Sequence, residues 1–153
     1  MSMMSWHRTF INIAKEFAKH STCCRKQVGA IIVKDKRVIS AGYNGVSSGK
    51  IHCNEIFKNN DYALNDFIRI HGEWSKINES HAESNCITYA AKIGVSVNDC
   101  ILYTTLSPCI DCAKQILHSG IKEVYFDEVY DREQSGITYL QESGIKIERI
   151  INE

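Results

Sequence analysis

Residues 100–126 read CILYTTLSPCIDCAKQILHSGIKEVYF, and this stretch decides the fold. Cys100 to Thr104 is a short strand, rich in residues that suit a pleated surface. Ser107-Pro108 then predicts a helix start, because serine caps exposed amides and proline at the first helical position gives up no hydrogen bond. Ile110, Ala113, Ile116 and Leu117 carry the apolar face of that helix to Gly120, and Glu123 to Phe126 reads as the next strand. Two strands joined by a helix pair parallel, since a tight turn cannot connect them. A weaker helix between Asp131 and Ser143 and a strand from Ile145 to Ile150 extend the unit.

Upstream, Val28-Gly-Ala-Ile-Ile-Val33 is a buried strand, and Val38 to Tyr43 is a second one across the charged residues Lys34 to Arg37. The short connection predicts an antiparallel hairpin. Trp6, Phe10, Ile13, Ala14 and Phe17 recur at helical spacing behind Ser5, so residues 5–20 read as an amphipathic helix. Ala82, Cys86, Tyr89, Ala90 and Ile93 do the same up to Gly94, which suits a helix C-cap. Residues 45–80 are the least regular part. A structureless loop of that length is uncommon, so something must pin it.

A chain of 153 residues, 44% of them hydrophobic and only one a proline, fits a single domain over residues 1–153 and excludes general disorder. Eighteen basic residues balance eighteen acidic ones, which argues against a nucleic-acid partner and leaves room for a small anionic ligand. The N-terminal MSMMSWHRTFINIAKEF has no unbroken apolar stretch, and no membrane span is expected elsewhere. Seven cysteines is an odd number; Cys23 and Cys24 are adjacent, and Cys109 and Cys112 have metal-ligand spacing. Reduced thiols and metal follow, with the cytoplasm as compartment.

His81-Ala-Glu83 and Pro108-Cys109-Ile-Asp-Cys112 stand at the starts of two helices. If those helices pack side by side, one imidazole and two thiolates converge on a zinc ion with its fourth position open, which is the arrangement of a catalytic site. Zinc lowers the pKa of water to about 7, and Glu83, which is not a ligand, is left to carry protons. Two thiolates cancel the charge of the metal and weaken it as a Lewis acid, so a separate proton carrier matters more. The competing reading is a capped helix with two buried thiols beside a chance His-x-Glu. The pair of motifs is the zinc-deaminase pattern.

Val28-Gly-Ala-Ile-Ile-Val33, Gly42-Tyr-Asn-Gly45, His81-Ala-Glu-Ser-Asn85, Thr105-Leu-Ser-Pro-Cys-Ile-Asp-Cys-Ala113 and Ser119-Gly-Ile-Lys122, in that order, resemble the deoxycytidylate (dCMP) deaminases, and most closely the phage-type members. These belong to the zinc-dependent cytidine deaminase superfamily. The Gly-Tyr-Asn-Gly segment and Tyr125 to Arg132 are similar to the dCMP branch in particular. The resemblance implies a three-layer α/β/α fold with a five-stranded mixed sheet. It also implies a catalytic zinc on His81, Cys109 and Cys112, with Glu83 protonating N3 of cytosine while water attacks C4. The product is dUMP, which feeds thymidylate synthesis.

The same resemblance implies a second, structural zinc on Cys23, Cys53, His71 and Glu79, tying residues 53–79 to the core; Cys24 and His52 are competing ligands. It places Asn44 and Gly45 against a nucleotide, substrate or effector, although Asn44 equally suits a left-handed turn. Asn85, one helical turn beyond His81, is a candidate for the sugar or base, and Tyr130 for stacking. Hexamers, activation by dCTP, inhibition by dTTP and Mg²⁺ with the effector are further implications. The alternatives are a deaminase of nucleosides or tRNA adenosine, which shares the zinc pattern, and a non-catalytic zinc-stabilised interaction module.

Overall fold

The computed structural model describes residues 3–60 and 62–151. In chain order it contains α1 (Trp6–Ala18), β1 (Gly29–Lys34), β2 (Arg37–Tyr43), β3 (Gly45–Val46), α2 (Cys53–Ile56), α3 (Leu64–Asn78), β4 (Glu79–Ser80) and α4 (Ala82–Ile93). These are followed by β5 (Ile101–Leu106), α5 (Ile110–Ser119), β6 (Glu123–Glu128), α6 (Ser135–Glu142) and β7 (Lys146–Arg149). No helix among the described residues is long and apolar enough to cross a membrane.

Asp35 and Lys36 have φ of 51° and 60°, the left-handed pair that a two-residue hairpin turn requires. They join β1 to β2, with Gly29 opposite Tyr43 and Lys34 opposite Arg37. On its other edge β1 pairs antiparallel with β5; β5, β6 and β7 are parallel. The sheet is therefore five-stranded and mixed, in the order β2-β1-β5-β6-β7.

The period of two along each strand divides the core between two faces. Ala30, Ile32, Leu102, Val124, Phe126 and Ile147 face Ala82, Cys86 and Ala90 of α4, Ala113 and Ile116 of α5, and Leu140 of α6. Ile31, Val33, Tyr103 and Tyr125 face Phe10, Ile11 and Ala14 of α1. This is the α/β/α sandwich expected from the resemblance. Gly94 ends α4 at φ 75°, as the sequence predicts.

Residues 45–80 depart from expectation by holding a helix of 15 residues, α3. Its only fully buried residue is His71, and Ile77 is 83% exposed. No aliphatic stripe betrays it, because its inward side is a histidine flanked by aromatic rings. The segment is bracketed by a two-stranded ribbon in which Gly45 lies opposite Ser80 and Val46 opposite Glu79.

Gly29 lets α1 lie directly on β1. A Cβ there would sit 2.0 Å from the Ala14 carbonyl oxygen and 2.6 Å from the Ala18 nitrogen, both backbone atoms. Gly29→Ala is therefore expected to displace α1 and cost at least about 1–3 kcal/mol, read as a lowered thermal midpoint. Gly72→Ala, inside α3 with open space around it, is expected to hold or slightly raise the midpoint.

Candidate active site

β5 ends against the loop that starts α5, and this junction is fastened from several sides. Ser107 is buried; its N–H donates to the Glu128 carbonyl (2.8 Å) and its Oγ accepts from the Tyr130 N–H (2.7 Å). The serine thus straps the exits of β5 and β6 together and does not cap α5, contrary to the sequence reading. Cys109 is the N-cap, with Pro108 before it. The free amide of Ile110 donates to Glu133 Oε2 (2.6 Å), while Glu133 Oε1 accepts from the Ser135 N–H (2.9 Å) and from the Ser135 hydroxyl. One carboxylate thereby serves the N-termini of α5 and α6, where the helix dipoles favour negative charge. Gly136 permits this contact, since a Cβ there would lie 2.2 Å from the Pro108 carbonyl oxygen.

His81 is the N-cap of α4, Cys109 the N-cap of α5, and Cys112 lies in the first turn of α5. His81 Nδ1 is 3.4 Å from the sulfur of Cys109 and 3.4 Å from that of Cys112. Tetrahedral zinc with ordinary N and S bond lengths spaces its ligand atoms about 3.3–3.8 Å apart, so this donor set fits the ion without rearrangement. The Cys109 thiol is drawn well below its ordinary range, chiefly by a hydrogen bond from Cys112. His81 is raised to about 9, chiefly by its hydrogen bond to Cys109. Cys112 shifts the other way, upward, first through its hydrogen bond with Cys109 and then through burial, so the negative charge of the pair rests on Cys109.

Glu83 lies one residue inside α4 and is 4% exposed. Burial pushes its carboxyl above the usual range. Oε1 accepts a hydrogen bond of 3.0 Å from the hydroxyl of Thr104, which has no exposed surface and stands 2.9 Å from the Leu106 carbonyl as well. Sequence reading passed over Thr104. Its signal was a polar residue at the position of β5 that shares a face with Leu102.

A second donor group forms below residues 45–80. His71 Nε2 is 3.3 Å from Cys53 Sγ and 3.7 Å from Cys23 Sγ, and Glu79 Oε1 is 3.7 Å from both His71 Nε2 and Cys23 Sγ. Glu79 Oε2 is buried with no hydrogen-bond partner among the described residues. An unpaired carboxylate oxygen in a dry site is costly, and these two sulfurs, one nitrogen and one carboxylate are zinc donors at zinc spacing. Burial holds His71 below its ordinary value and pushes both thiols above theirs, so without a cation burial favours the neutral imidazole and the neutral thiols. Phe57, Phe67 and Trp74 ring His71. Of the competing ligands, His52 turns to the Thr22 hydroxyl (3.2 Å), and Cys24 lies beside Cys53 but outside the four-donor group.

The model for the cytidine and deoxycytidylate deaminase zinc-binding region matches residues 4–128. The chain belongs to this deaminase family. Deoxycytidylate deaminase of Enterobacteria phage T4 is 35% identical over 167 aligned positions, covering 91% of this chain and 86% of the relative. ComE operon protein 2 of Bacillus subtilis is 35% identical, covering 98% of this chain and 74% of the relative. The crystal structure of dCMP deaminase from cyanophage S-TIM5 in complex with dCMP and dUMP is 30% identical with a TM-score of 0.79, covering 98% of this chain and all of the other.

Within this deaminase fold Asn44 is neither left-handed nor loose. Its Oδ1 accepts from the Val28 N–H (2.8 Å) and its Nδ2 donates to the Lys26 carbonyl (2.8 Å), so the side chain brackets the strand entering β1. Among the described residues, those with positive φ other than glycine are Asp35, Lys36 and Asp99, which removes the left-handed alternative for Asn44. Gly45 lies in β3. Asn85 donates to the Tyr43 carbonyl (2.7 Å), joining α4 to the Gly-Tyr-Asn-Gly segment. Tyr130 is half-buried beside the Ser107 strap.

The Glu133 clamp has a pH signature. Its carboxyl is held below the usual range, first by the hydrogen bond from Ser135, so the stabilisation is full above the unfolded value of about 4.3 and is lost as pH falls through the lower folded value. Glu133→Gln is expected to unfold earlier than the parent in urea at neutral pH. The gap between midpoints should narrow progressively below about pH 4.

Proposed function

We propose that residues 1–153 act as one zinc-dependent hydrolytic unit converting dCMP and water to dUMP and ammonia. The observation that carries this reading is the convergence of His81 Nδ1 and the Cys109 and Cys112 sulfurs beside a buried carboxylate, Glu83, at two adjoining helix N-termini. The T4 relative is named for deoxycytidylate, and the S-TIM5 structure holds dCMP and dUMP, which favours the free deoxynucleotide as substrate. The balanced charge of the chain favours it over tRNA.

Zinc on His81, Cys109 and Cys112 would supply a Lewis acid that lowers the pKa of water to about 7. The rest of the chemistry belongs to the chain. Glu83, as the carboxylate, accepts one proton of the attacking water and passes it to N3 of the cytosine ring, then takes the remaining hydroxyl proton and passes it to the departing amine; its burial raises the carboxyl and so helps it hold each proton in transit. Thr104 holds Oε1 of Glu83 so that the carboxylate keeps one orientation through these transfers. Asn85 and the Asn44-Gly45 segment face the nucleotide in this reading, with Tyr130 closing the other side.

The second group holds a zinc ion in a structural role through Cys23, Cys53, His71 and Glu79. In the finer part of the reading the enzyme works in the cytoplasm as a hexamer, activated by dCTP and inhibited by dTTP, each with Mg²⁺, and its dUMP supplies thymidylate synthesis. Cytosine offers an amine donor where thymine offers a carbonyl acceptor, and a buried partner matched to one is left unpaired by the other at a cost of about 1–3 kcal/mol.

Glu83→Gln is expected to retain fold and metal while kcat for dCMP drops by about 10²–10⁴, because an amide cannot carry the proton. Ammonia release from dCMP, CMP, cytidine and dCTP in parallel tests the substrate: dCMP should lead, and equal turnover of cytidine would move the assignment to a nucleoside deaminase. Saturation curves for dCMP should shift left with Mg-dCTP and right with Mg-dTTP; superimposed curves would remove the regulatory part alone.

A further inference from the structure

The adjacent cysteines before β1 divide their labour. Cys23 is half-buried with its sulfur toward His71 and Glu79, whereas Cys24 is exposed; both line an open concavity of about 380 Å³ with Arg25, Lys26 and Gln27. Cys24 nonetheless stays in contact with the buried group. Its sulfur is 3.3 Å from Cys53 Sγ, and its backbone N–H donates to that sulfur at 3.4 Å. Cys53 itself has no exposed surface. A third thiol, reachable from solvent, thus touches a sulfur of the four-donor group from outside it.

We infer that Cys24 and Cys53 form a thiol pair through which hydrogen peroxide opens the second metal group. This rests on the proposed zinc on Cys23, Cys53, His71 and Glu79. The Cys24 sulfur attacks the peroxide, the O–O bond breaks, and Cys24 becomes a sulfenic acid as water leaves. The Cys53 sulfur then attacks the Cys24 sulfur; the S–O bond breaks, a second water leaves with the remaining proton, and the Cys24–Cys53 bond forms. Two thiols have lost two electrons to one peroxide. Cys53 can no longer serve as a thiolate donor, and a group of Cys23, His71 and Glu79 is left with three donors.

Pairing of Cys24 with its chain neighbour or with the core cysteines is disfavoured. Cys23 and Cys24 are neighbours in the chain, about 3.8 Å apart at Cα, below the roughly 4.4–6.8 Å that disulfides span. Cys86 and Cys100 are buried in the sheet's helical face and reach neither. A thiol reductant reverses the step, since the new bond lies on the solvent side of the group.

The test uses the zinc-loaded protein with hydrogen peroxide, a chromogenic zinc chelator, non-reducing peptide mapping and dCMP turnover followed in parallel. About two zinc ions per chain are expected at the start, and one is released as a Cys24–Cys53 linkage accumulates, before deamination declines. Cys24→Ser keeps the four donors and should begin with the same metal content and activity, yet release zinc about ten-fold more slowly. A linkage that joins Cys23 to Cys53, no linkage at all, zinc release unchanged in Cys24→Ser, or activity falling in step with the first zinc would each overturn the inference. A starting content of one zinc overturns the metal assignment instead, and the map of linkages then still decides whether the thiol pair exists.

Discussion

Two helix N-termini have to meet beside a buried carboxylate, and the topology of the sheet is what makes them meet. β5 is central: it pairs antiparallel with β1 on one side and parallel with β6 on the other. Cys109 and Cys112 follow directly on the carboxyl end of β5, the end at which open α/β sheets bind ligands. α5 leaves that end and α4 packs beside it on the same face. Their exposed amides favour thiolates, and Cys109 and Cys112 sit where that preference acts. The straps at Ser107 and Glu133 and the close approach of Gly136 hold the junction in place.

The chain has two kinds of interior. The sheet buries aliphatic side chains on both faces, and that part needs nothing else. The segment from Cys53 to Asn78 buries little aliphatic surface, and its one inward helix offers a histidine among Phe57, Phe67 and Trp74. A lobe so small cannot offset its ordering entropy by hydrophobic burial alone. Four donor atoms at zinc spacing, Cys23, Cys53, His71 and Glu79, stand where that core is missing, and one oxygen of Glu79 is left without a hydrogen-bond partner among the described residues.

Strand and helix positions were legible wherever a period reached the sheet: Ile31 and Ile32 face opposite cores, and Ala82, Cys86 and Ala90 follow the helical repeat. The two ligand motifs were legible because spacing within one turn is a local property. Other features depend on long-range partners that no local pattern carries. Glu133 caps a helix that begins 23 residues earlier in sequence, as its bond to Ile110 records. Asn44 looked like a turn residue because its type is common in turns, whereas its amide is consumed by Lys26 and Val28. α3 was obscured because the residue it buries is a histidine and its apolar residues, Ile77 above all, lie outside.

The ribbon of β3 and β4 fixes both ends of the segment it encloses, and Ser80 alone separates Glu79 from His81. The start of α4 is therefore set by residues 45–46 and 79–80, independently of how much chain runs between them. Closing a flexible loop costs only about 0.6 kcal/mol more for each doubling of its length. The excursion can consequently lengthen or shorten between lineages at its outer tip while the geometry at His81 is preserved, so variation in chain length within such proteins has a natural place to accumulate.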